Sequence, residues 1–156
     1  MNNMNNMDNM DNMNNFNQMQ IVKMSHDCSF CRENPRSHSF TEIQAQANIN
    51  RTDSSTERRL FYSRPADAEL YRDTISVVHH FECVLEGVGD WEWIFDCDRM
   101  GIAHYTQFEL CRELCKLFVR QGGLRRVYII NTNWLIGVTI KCAKAVWHGL
   151  PEIWLE

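Results

Sequence analysis

The 156-residue chain has no apolar run approaching the roughly 18 to 20 residues that a membrane-crossing helix needs. Its N-terminus carries neither the basic flank nor the apolar core of a secretory signal. Positive charge is not in surplus: 16 lysines and arginines stand against 20 aspartates and glutamates, a formal charge of -4. That balance gives no electrostatic reason to seek phosphate backbones, so no nucleic-acid partner is expected. The chain also lacks a G-x-S-x-G elbow, a G-x-x-x-x-G-K phosphate loop and an H-E-x-x-H pair. Gly87-Val88-Gly89 precedes a strand-like run instead of opening a helix after one. These absences point to a non-enzymatic protein of the cytoplasm, at most peripheral to membranes, with no cofactor.

What is present is unevenly spread. Seven of the eight methionines fall within the first 24 residues, and all five tryptophans fall after position 90. Residues 1–24 form a Met/Asn-rich tail in which Met1, Met4, Met7, Met10 and Met13 recur every three residues. A period of three marks no helix face, and asparagine prefers local side-chain hydrogen bonds, so this tail is expected to be disordered. Residues 25–56 are polar and read as a linker, with a short helix conceivable near Thr41 to Asn48. Residues 57–156 hold the apolar patterning of a folded domain. The cysteines are odd in number, and Cys83, Cys97, Cys111, Cys115 and Cys142 sit in apolar runs where a reduced thiol acts as a small core residue.

Within that domain the pattern alternates. Leu60 to Ser63 reads as a strand stopped by Pro65, and Asp67 to Glu86 carries Leu70, Ile75, Val78, Phe81 and Leu85 at helical spacing. Trp91 to Cys97 is a second strand, and Thr106 to Arg120 a helix with Phe108, Cys111, Leu114, Cys115 and Phe118 on one side. Arg126 to Asn131 is a third strand, followed by a helix from Trp134 to Trp147. Strand and helix in alternation predict an α/β fold, a mostly parallel sheet with crossover helices.

The strings WEWIFDCDRMGIAHY, from Trp91, and RRVYIINTNWLIGVTIKCAKAVWHGLP, from Arg125, resemble two central segments of CRAL-TRIO lipid-binding domains. In that family an apolar strand ends in aspartate, matched by Asp96. A later strand ends in an Ile-Asn-x-x-Trp/Phe step, matched by Ile130, Asn131 and Trp134. The resemblance covers about 57–150 and implies an α/β domain enclosing an apolar pocket for a lipid or other hydrophobic small molecule. The acidic residue that helps some members hold an inositol head group is replaced in the Gln121-Gly122-Gly123-Leu124 step. The family's next strand and its gate helix are not expected before Glu156, so the domain reads as a truncated CRAL-TRIO domain.

Candidate ligand-binding wall residues are Trp93, Phe95, Phe108, Phe118, Ile130, Trp134, Ile136 and Val138, although each also suits plain core packing. Asp96 suits a strand-end crevice or a cap on the following turn, and Asn131 and Asn133 suit strand termination and a helix cap. Lys141 and Lys144 are placed on a solvated helix face. Two further readings stand beside lipid binding. One is a non-catalytic protein-interaction module that uses its incomplete sheet edge or exposed tryptophans to bind a partner or to form a homodimer. The other is a zinc or redox site at His26, Cys28, Cys31 and His38; only half of the usual paired pattern is present, so no bound metal is expected. His79 and His80 are placed as surface or satisfied helix residues.

Overall fold

The computed structural model describes residues 22–44, 59–146 and 152–155, and the Met/Asn-rich stretch up to residue 21 lies outside them. In chain order the elements are β1 (Val22–Lys23), α1 (Ser29–Glu33), β2 (Thr41–Gln44), β3 (Arg59–Ser63), α2 (Thr74–Leu85), β4 (Trp91–Asp96), α3 (Ile102–Tyr105), α4 (Phe108–Gln121), β5 (Leu124–Ile130), α5 (Trp134–Val146) and β6 (Glu152–Leu155). A single 3₁₀ turn, Pro65–Asp67, links β3 to the loop before α2.

The strands lie side by side in chain order, β1-β2-β3-β4-β5-β6. The first two pairings are antiparallel and the last three parallel, which makes an open, mixed α/β sheet. Successive crossovers of one hand that each step to the neighbouring strand put all their helices on the same face. The side chains agree. Phe61, Trp91, Trp93, Val127 and Ile129 pack with Val77, Phe81, Leu117, Ile136 and Ile140 of the helices. The alternate strand positions Leu60, Tyr62 and Ile94 form a separate cluster with Ile43, joined by Tyr128 and Ile130. A period of two thus splits the sheet into two different faces.

Local chemistry fixes the element ends. The Asp73 carboxylate accepts from the Ser76 amide (3.1 Å) at the start of α2, and Asn133 Oδ1 accepts from the Leu135 and Ile136 amides (3.0 and 3.3 Å) at the start of α5. Asn131, at φ 53°, ends β5. Gly123 leads into β5 at φ +80°, and a Cβ there would lie 2.2 Å from the Gly89 carbonyl oxygen. Only glycine allows the loops before β4 and β5 to come this close.

The helix-side core is unusually aromatic. Phe40 stacks on Phe81 with ring centroids 3.8 Å apart and on Phe61 at 5.3 Å, and Phe118 meets both Trp91 and Trp93 at 5.6 Å. Such pairs contribute about 0.5–1.5 kcal/mol each beyond the area they bury.

Two segments differ from the sequence reading. Much of the stretch expected as linker is part of the fold: Phe40 is 2 % exposed and Ile43 4 %, and Thr41–Gln44 is a strand where a short helix was conceivable. The apolar residues there are few, and their burial comes from a long-range pairing with β3 that no local pattern reveals. A further strand, β6, follows the last helix where none was expected, and it pairs in parallel with β5 from Arg126↔Glu152 to Ile129↔Leu155. Trp147 and Leu150 lie outside the described residues.

Candidate functional site

Between the helices and the sheet lies a cavity of about 230 Å³. β4 contributes Trp93 and Phe95 to it, α4 contributes Phe108, Leu114 and Phe118, and α5 contributes Ile136. These residues converge because the odd positions of β4 and the inward stripes of both helices face the same layer. Phe108 lines the cavity while remaining 71 % exposed, which puts it at the mouth. Tyr71 and His104, stacked at 4.2 Å, line another part of the wall.

Five of the eight wall candidates, Trp93, Phe95, Phe108, Phe118 and Ile136, therefore come together around one space. The other three do not. Ile130 packs on the opposite face of the sheet, and Trp134 and Val138 point outward from α5, 78 % and 54 % exposed. Periodicity marks which positions of an element share a side, but the side that faces the cavity is set by packing partners far along the chain. Tyr105, Phe40 and Ser63 also line the cavity and were not singled out from the sequence.

The cavity wall has few polar groups. Ser63 Oγ accepts from the Trp93 indole N–H at 2.8 Å. The Tyr105 hydroxyl is buried beside Cys97 and Asn133 and makes no well-aligned hydrogen bond among the described residues. Along α4, Cys111 and Cys115 both line the wall, and hydrogen bonding from Cys115 brings the Cys111 thiol down to about 7. Cys111 is exposed, so its thiol is open to alkylation.

At the carboxyl ends of the central strands sits a second polar constellation. Asp96, 1 % exposed, accepts from Tyr62 OH (2.5 Å), Arg64 Nε (2.9 Å), Asn131 Nδ2 (2.8 Å) and the Asp98 amide (2.9 Å). Burial alone would raise its carboxyl, but the bonds from Asn131, Tyr62, Asp98 and Arg64 outweigh it and hold the pKa below the usual carboxylate range. The same contact and burial push the Tyr62 phenol up. The Asp98 bond is the turn cap expected from the sequence, and Asp96 also ties together the ends of β3, β4 and β5.

A third constellation joins α1, the loop after it and α2. Cys28, Cys31, His38 and His80 bring their ligand atoms within 4.8 Å of one another. Cys31 Sγ lies 3.3 Å from His38 Nδ1 and 3.5 Å from His80 Nδ1. The two imidazoles stack with centroids 4.4 Å apart. Burial lowers both, His38 to about 4 and His80 to about 3, so both rings are neutral near pH 7. His80 replaces His26 in the set expected from the sequence. The sequence held a signal for it: His80 shares the inward stripe of α2 with Val77, Phe81 and Val84.

A scan against models of protein families finds no match, and a search of curated proteins finds none either. No helix among the described residues is long and apolar enough to cross a membrane.

Proposed function

We propose that this protein binds a compact hydrophobic molecule in the cavity between its helices and sheet, as a reduced relative of CRAL-TRIO domains. The observation that carries this reading is an almost wholly apolar wall that includes the buried Tyr105, whose hydroxyl makes no well-aligned hydrogen bond to its Cys97 and Asn133 neighbours. A buried hydroxyl without a partner costs about 1–3 kcal/mol, a cost that a polar atom of a bound ligand would remove. The family resemblance is supported by the strand–helix alternation and by its two motif residues, Asp96 and Asn131, which are hydrogen-bonded at adjacent strand ends.

Size narrows the ligand. A cavity of about 230 Å³ falls just under the roughly 300–1,000 Å³ of common ligand pockets. A single-chain or ring-shaped lipid suits it better than a two-chain phospholipid. Apolar burial gives little net preference for a lipid that leaves a bilayer, because the bilayer already supplies it. Selectivity then rests on shape and on the Tyr105 hydroxyl.

Native mass spectrometry after exposure to mixed liposomes, followed by organic extraction, tests the reading. A one-to-one lipid adduct that is lost in a cavity-filling Leu114→Trp variant is expected. A folded protein that stays empty sinks it. Alkylation adds a second readout: bound ligand slows modification of Cys111.

The second reading, an interaction module, draws on Trp134 and Val138. These lie one turn apart on α5 and are both exposed. A lipid-free homodimer that dissociates on Trp134→Ser would favour it.

A further inference from the structure

Cys28 stands immediately before α1 and Cys31 lies within it, His38 follows in the next loop, and His80 comes from the buried stripe of α2. We propose that these four residues hold a structural zinc ion. This inference is independent of what the cavity binds.

Tautomer chemistry supports the assignment. His80 Nε2 lies 2.6 Å from the Phe40 carbonyl oxygen. A carbonyl only accepts, so the hydrogen sits on Nε2 and Nδ1 presents a bare lone pair. His38 Nε2 lies 3.3 Å from Ser76 Oγ, whose own hydrogen is directed to the Asp73 carbonyl at 3.2 Å. His38 therefore donates from Nε2 as well, and its Nδ1 is bare. Both bare nitrogens lie within 3.5 Å of Cys31 Sγ, and His38 Nδ1 also lies 3.2 Å from Ser37 Oγ. Outward N–H groups tied to a carbonyl and a hydroxyl are the second layer that orients metal-binding imidazoles.

Distances agree. Zinc bonds of about 2.3 Å to sulfur and about 2.0–2.1 Å to nitrogen place tetrahedral S and N ligands roughly 3.6 Å apart. Cys31 Sγ lies 3.3 and 3.5 Å from the two imidazole nitrogens, and the full set, all within 4.8 Å of one another, closes with a small side-chain movement.

Charge selects the ion. Two thiolates neutralise a divalent cation, so the complete site is neutral, which suits a place where Cys28 and His80 are each 1 % exposed. The set contains no carboxylate, which disfavours magnesium and calcium, and two thiolates with two imidazoles favour zinc. Binding releases the two thiol protons to solvent. Ser37 Oγ, 3.2 Å from His38 Nδ1 and 3.5 Å from Cys31 Sγ, is free to donate to the thiolate once His38 Nδ1 is bound to the ion. All four positions are filled by protein, so the ion has no open site for catalysis. Its effect is to fasten the residues 28–38 segment to α2, where His38 and His80 also line one end of the cavity.

Metal analysis of the full-length protein, purified under reducing conditions from zinc-containing medium, tests this. About one zinc per chain is expected. Cys31→Ser and His38→Ala should retain less than about a tenth of it, while His26→Ala and the double variant Cys111→Ser/Cys115→Ser should keep it. Should those site variants fold poorly, cobalt substitution of the unaltered chain is decisive: tetrahedral ligand-field bands with thiolate charge transfer are expected. A folded, reduced chain that takes up no zinc would falsify the proposal. So would zinc that persists in Cys31→Ser and His38→Ala, cobalt spectra without thiolate charge transfer, or a Cys28–Cys31 disulfide in freshly purified protein.

Discussion

The two faces of the sheet solve burial by different means. Toward the helices the strands present Phe61, Trp91 and Trp93 to an aromatic layer with a cavity inside it. On the opposite face a few aliphatic side chains and Tyr62 sit beside a buried carboxylate, Asp96, paired with Arg64. One face depends on shape, with dispersion and area as the stabilising terms. The other depends on matched polar partners at defined positions. The apolar cavity lies on the face where shape governs.

Substitutions sharpen that contrast. Trp91→Ala, on the helix side, should have the largest effect, about 3–5 kcal/mol by the usual cost of emptying a large aromatic site, read as a fall in the urea midpoint. Asp96→Asn, at the strand ends on the other face, should cost about 1.5–3 kcal/mol, the range for hydrogen bonds to a charged group. The Asp96 effect should also depend on pH. Its folded pKa is depressed, so its contribution is fully present above the unfolded value of about 3.9 and is lost as pH falls through the folded pKa. The gap between unaltered chain and Asp96→Asn in urea melts should therefore narrow in acid and stay constant at neutral pH; a gap that widens in acid would reverse the assigned sign. Tyr105→Phe should weaken a polar-headed ligand about 2- to 10-fold, corresponding to a hydrogen bond of about 0.5–1.5 kcal/mol. Smallest of all, breaking the half-exposed Arg59–Glu42 pair should cost about 0.2–1 kcal/mol and less in high salt. If Trp91→Ala proves milder than Asp96→Asn, the division into a shape-governed and a partner-governed face fails.

Elements with their own periodicity were legible in the sequence. The strand at Trp91, the helix from Phe108 and the strand ending at Ile130 all fall within two residues of their expected bounds. The helix expected from Asp67 begins only at Thr74, because Pro65 starts a 3₁₀ turn and Asp73 caps the later start. The 22–44 segment was not legible, since β2 owes its existence to pairing with β3 and Phe40 to rings supplied by distant elements. The thiol–imidazole set was half legible. Cys28, Cys31 and His38 are close in sequence, whereas His80 enters from 42 residues beyond His38, a distance that only the fold closes.

The Asp96 hub has a kinetic side. Its partners Tyr62, Arg64 and Asn131 lie 34, 32 and 35 residues away, and two helical crossovers must be complete before all three can reach it. Contacts of this range form slowly, because the chain gives up loop entropy before it gains them. The carboxylate therefore acts as a late check on register: a strand docked one residue out of step leaves it without its full set of donors. Asp96→Asn should accelerate unfolding far more than it slows folding, so the hub governs how long the native state lasts once it has been reached.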